Sequence, residues 1–188
     1  MKYLRYNRSM KTIAQPTPDE YADFYAGYIQ YASAREDVLA ALPKQIEEIK
    51  SALGNLTDKQ ALFRDAPKEW SIKEVMGHLN DVERVFSYRI LCISRNDETS
   101  LPGMEQDDYV REAGYDNYPL GDLIAEFEHL RRANIIAIDN MPEEYTDRRG
   151  TASGFPVSLR ALIHMLVGHV DHHMESLQEK YLPTAITL

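Results

Sequence analysis

The chain has 188 residues, 44% apolar and 27% charged, with 21 Lys and Arg against 30 Asp and Glu for a net charge of −9. That length and composition describe one folded domain able to bury roughly 70% of its unfolded surface, and exclude a disordered chain. The acidic balance argues against nucleic acid and against an anionic membrane surface, since both demand a basic face. The single Cys92 leaves no intrachain disulfide. No apolar run approaches a membrane span, and the basic residues Lys2, Arg5, Arg8 and Lys11 lack the apolar stretch of a secretory signal, so the cytoplasm is the expected compartment.

In chain order, residues 1–16 read as an irregular arm, and residues 17–183 as a single domain. Thr17-Pro18-Asp19-Glu20 predicts an N-cap, a proline in the first turn and two acids there. A short helix is expected through Tyr21, Phe24, Tyr25, Tyr28 and Tyr31, a cluster that reads as packing or an interface. Val38 to Leu53 carries helical periodicity, with a kink or a start at Pro43 and Gly54 just past its end. Ser71 and Glu74 form the capping-box pattern, with Trp70 as a hydrophobic staple, and open a helix to about Arg95.

Residues 97–118 form a long polar connection, with room for one helical turn, expected to cover the mouth of a site. A further helix is expected from Leu120 to Asn140. Thr151 to Gly154 then reads as a turn, and Pro156 opens a last helix through Tyr181, ended by Pro183. No strand pattern is evident. The prediction is an all-α four-helix bundle with a short extra N-terminal helix and a long connection between helices 2 and 3.

Inward positions follow from the heptad spacing. On the second long helix they are Val75, His78, Val82, Val85, Arg89 and Cys92, and on the last they are Leu159, Leu162, Leu166, His169, His173 and Ser176. His169 and His173, four apart, share one helical face, and His78 points inward from another helix. Three imidazoles buried together need partners for their nitrogens, and a divalent metal supplies them. The alternative is a set of core histidines bonded to carbonyls or carboxylates. His172 flanks the group as an outer residue, while His164, on the opposite face, and His129 are expected to be solvated. Asp81, three residues after His78, is the candidate base or orienting acid. Glu74 is occupied in its cap, Glu175 points away, and Cys92 is an inert buried thiol.

The stretch Glu69-Trp70-Ser71-Ile72-Lys73-Glu74-Val75-Met76-Gly77-His78-Leu79 resembles the first signature of the DinB-like superfamily, and Gly168-His169-Val170-Asp171-His172-His173 resembles its second. The segment from Arg95 to Tyr109, with Leu101-Pro102-Gly103, is similar to one branch of that superfamily. The resemblance spans residues 20–182. It implies an up-down-down-up bundle in which His78, His169 and His173 hold one divalent ion. Members include thiol-dependent S-transferases, a maleylpyruvate isomerase and the iron-binding bundle of sulfoxide-forming synthases. The synthases' large second domain has no counterpart in these residues, so their activity is not expected.

The expected function is therefore a metal-dependent enzyme acting on a small molecule, as a hydrolase or a thiol-dependent S-transferase. Zn, Ni or Fe would suit the imidazoles, with a low-molecular-weight thiol as a cosubstrate. A homodimer is expected. The rival reading is a non-catalytic bundle locked by metal, serving a stress-related or dimerisation role.

Overall fold

The computed structural model describes residues 11–187, so most of the expected arm lies outside the described residues. From Lys11 the chain runs without regular structure to Thr17. The Lys11 ammonium donates to Ile138 O (2.9 Å) and Met141 O (2.8 Å), satisfying carbonyls that a helix end leaves open.

The aromatic N-terminal helix is shorter than its periodicity suggests. Two 3-10 turns, Pro18–Glu20 and Asp23–Tyr25, precede α1 (Ala26–Ser33). Thr17 makes no side-chain cap; its hydroxyl donates to Asp19 and Glu20. Glu20 is buried and takes the Ser158 hydroxyl (2.7 Å) and Arg160 Nε (2.6 Å), and Tyr21 beside it is extended. That anchoring breaks the helix before it can form.

α2 (Val38–Leu53) starts from an Asp37 cap and carries Pro43 inside it, so the proline neither begins nor ends the helix. α3 (Ile72–Ser94) opens with the expected capping box: Ser71 Oγ accepts from Glu74 N, and Glu74 accepts from Ser71 N at 2.8 Å. α5 spans Leu120–Asp139 and α6 Leu159–Ser176. These four long helices enclose the core, with Phe86, Ile90, Leu162 and Leu166 in one apolar cluster and Ile46, Met76, Leu79 and Phe127 in a second. α1 packs on α6. The approach is close because of Gly168, where an added Cβ would lie 1.8 Å from Tyr28 O.

Three local expectations are corrected. The long connection holds a two-turn helix, α4 (Gln106–Ala113), and a 3-10 turn at Tyr115–Asn117. Strands β1 (Arg149–Ala152) and β2 (Phe155–Ser158) form an antiparallel hairpin, so the fold is not purely helical. Strands of four residues with a proline in one give no alternation to read. Their turn is made by Ser153 (φ 56°) and Gly154 (φ 82°), the left-handed pair that tight hairpins require. Pro156 accordingly lies in β2, and α6 begins at Leu159 with the Ser158 hydroxyl accepting from Ala161 N. Beyond α6, a π-helical turn (Leu177–Tyr181) leads into α7 (Leu182–Ala185). There Pro183 sits in the first turn, where its missing N–H is harmless. Leu101 bridges to the hairpin through Thr151 O (2.8 Å) and Ser153 N (3.0 Å), which ties the long connection down.

Candidate metal centre

α3 and α6 bring His78, His169 and His173 together, as their spacing implied. His78 and His169 are buried, His173 partly so, and one ring nitrogen from each lies within 4.8 Å of the other two. His78 Nε2 and His169 Nε2 are 3.0 Å apart. Around them stand His172, Trp70 (4.8 Å from His78 between ring centroids) and Tyr28 (5.2 Å from His169).

The electrostatics suit ligation. Burial, with the neighbouring imidazole of His172, lowers His78 to about 4. Burial first and adjacent histidines second push His169 and His173 well below their ordinary value. All three are therefore neutral at pH 7, the form in which imidazole binds a metal.

Their hydrogen bonding is incomplete. His78 Nδ1 and His173 Nε2 are buried and have no partner among the described residues. An apolar core stabilises such atoms poorly, whereas a cation among neutral imidazoles uses their lone pairs. The residues thus fit a divalent ion in donor type, protonation state and compactness.

Two cavities meet this group. One, of about 430 Å³, is lined by His78 and His169 together with Phe24, Tyr25, Tyr28, Val82, Phe86 and Arg89. The other, of about 370 Å³, has His172, His173, Trp70, Lys68, Glu69 and Asp107 in its wall. Gln106, the first residue of α4, lines both, so the long connection does border the site.

The remaining histidines and acids fall as follows. His129 is exposed. His164 is buried, not solvated, with Nδ1 2.8 Å from Arg160 O, because its face of α6 is covered by residues around Ile13 and Ala32. Asp81 lies beside Tyr115, and burial raises its pKa. No hydrogen bond joins it to His78, whose Nδ1 is unpartnered. Glu175 takes the Tyr31 hydroxyl, and Cys92 is buried.

The sequence reading missed the aromatic wall. Phe24, Tyr25 and Tyr28 line the larger cavity in addition to packing, a role no spacing within α1 reveals. Arg89, at an inward heptad position, also lines that cavity, and its spacing marks the position without marking a role.

A family model of the DinB superfamily matches residues 41–177, a span that includes all three histidines. The chain belongs to the DinB superfamily. Among solved structures, this DinB-superfamily bundle is similar to YfiT from Bacillus subtilis, described as "a probable metal-dependent hydrolase with an unusual four-helix bundle topology". The two share 15% sequence identity at a TM-score of 0.68, over 89% of this chain and 92% of YfiT. At that identity the likeness concerns the fold. No curated protein matches the chain. Among the described residues, no helix is long and apolar enough to cross a membrane.

Proposed function

We propose that this chain is a metal-dependent enzyme acting on a small molecule, with one divalent ion (Zn, Ni or Fe) held by His78, His169 and His173. The observation that carries the reading is the convergence of three neutral imidazoles, two with orphaned nitrogens, where two cavities meet. An ion there would supply a Lewis acid with positions left for a nucleophile and a substrate.

The chain's own residues do the rest. Tyr28 and Trp70 pack against the imidazoles, and Phe24, Tyr25 and Phe86 offer an apolar bed for a substrate. The second wall, with Lys68, Glu69 and Asp107, suits a polar molecule. Access from two sides, one apolar and one polar, favours a two-substrate reaction, so thiol transfer is the first reading. In it a low-molecular-weight thiol enters from the polar side. Hydrolysis is the second, supported by the description of YfiT. His172 and Asp81 stand as outer residues, His172 against His173 and Asp81 beside Tyr115. The same reading extends to a single domain over residues 17–183, an up-down-down-up helix order, a homodimer and a cytoplasmic setting.

Elemental analysis of untagged protein tests the metal directly: stoichiometric transition metal is expected, and its absence overturns the reading. Thiol-transfer and ester-hydrolysis screens with each metal then separate the two chemistries. His78→Ala should stay folded while losing both metal and turnover. If it loses metal and unfolds, and the unmodified chain turns nothing over, the metal is a structural lock and the stress or dimerisation role stands.

A further inference from the structure

The larger cavity ends at a residue that the metal reading does not use. Arg89 is 3% exposed, and its guanidinium has no carboxylate within salt-bridge distance among the described residues. Its hydrogen bonds run to Tyr25 Oη (3.2 Å), Pro102 O (2.8 Å) and Ser153 Oγ (3.0 Å), all neutral acceptors. Nε is buried without any partner. The other fully buried arginine, Arg131, is treated differently: Glu83 accepts from its Nε and Nη2, both at 2.8 Å. A guanidinium removed from water and left without an anion is costly, and a carboxylate is the group that its fork of donors matches.

Arg89 follows His78 by eleven residues, about three helical turns, so both face one side of α3. Phe86 lies between the two ends of the cavity. Its ring centroid is 6.3 Å from that of His169 and 5.8 Å from the Arg89 guanidinium carbon, so the ends are separated by at most those lengths together. Val82, Val85, Tyr25 and Met104 complete an apolar wall along that path, and the exposed Glu105 lines the cavity without pairing to Arg89.

We propose that Arg89 anchors the carboxylate of the small molecule that reaches the histidines, making the substrate class a carboxylic acid with an apolar body. The acid group docks on the Arg89 guanidinium, the hydrocarbon lies along Phe86 and Val82, and the reacting end meets His78 and His169. This inference rests on the proposed metal-dependent activity for the identity of the reacting end, but the anchor itself is a binding property.

The test uses 4-phenylbutyrate and its uncharged amide as probes, with affinities measured by calorimetry on metal-loaded and metal-stripped protein. The acid should bind the unmodified chain at least tenfold more tightly than the amide, with or without metal. Contacts from the phenyl protons to the Val82 and Val85 methyls should be visible by NMR. Arg89→Gln should erase the preference, and Arg89→Lys should keep part of it. Equal binding of acid and amide by the unmodified chain overturns the proposal even if neither variant folds, as does a preference that survives in Arg89→Gln. His78→Ala separates the two readings: a variant that loses metal yet keeps the acid preference leaves the anchor standing, whatever becomes of the enzyme assignment.

Discussion

Two buried polar clusters share α3 and α6 and are finished differently. In one, Arg131 from α5 meets Glu83 from α3 (2.8 Å), Gln45 from α2 (2.6 Å) and Leu166 O of α6 (3.0 Å), while Asn134 adds a bond to Glu83. Gln45 continues the chain to Val167 O and Asp171, and Arg35 clasps Asp171 and Glu48 beyond it. Every side-chain nitrogen and oxygen of Arg131, Glu83, Gln45 and Asn134 has a partner. In the other cluster, the histidines and Arg89 leave three buried nitrogens unmet. The closed network fixes four helices in register, whereas the open one keeps donor and acceptor capacity that no described residue uses.

The contrast makes graded predictions. Glu83→Ala should destabilise the chain by about 3–5 kcal/mol in urea unfolding, because it strands a buried guanidinium. A loss under 1 kcal/mol would show that the closed network does not bind the helices together. A metal held as proposed acts on the open cluster alone: loading should raise the melting temperature and add about 4 kcal/mol of stability when free ion is a thousandfold over its Kd, and chelation should reverse it. The same addition should do nothing to a His78→Leu variant.

Glu20 tests a third buried charge, closed like the first. The Arg160 guanidinium, with help from Ser158 and Thr17, holds it at about 2 against an ordinary 4.5. Its contribution, on the order of 3 kcal/mol, is complete above about pH 4.5 and is lost as pH falls toward 2. Glu20→Gln should flatten that limb of an acid-unfolding curve. The smallest effect belongs to the open cluster: His78→Leu should change metal-free stability by less than about 1 kcal/mol, since one of the two ring nitrogens it removes had no partner. A loss as large as that of Glu83→Ala would make the two clusters alike and remove the argument for a ligand.

What was legible in the sequence follows from how local each signal is. Ser71 and Glu74 are three residues apart and His169 and His173 four, so one helix decides both. His78 needed only the added assumption that two helices share a seam. Glu83 and Arg131 are 48 residues apart, and nothing in either segment marks an acid and a base as each other's partner. His164 failed because a four-helix pattern assigns its face to solvent, while the chain around α1 covers it. The hairpin escaped because its strands are shorter than one period of reliable alternation.

The two glycines that precede His78 and His169 have a practical consequence. A Cβ on Gly77 would fall 2.2 Å from the Tyr115 ring, and one on Gly168 would meet the backbone of Tyr28. Replacing helical glycine by alanine is a routine way to gain roughly 0.4–1 kcal/mol. At these two positions the sign should invert, so anyone hardening this protein for use must leave them alone and look to solvent-facing positions on the same helices instead.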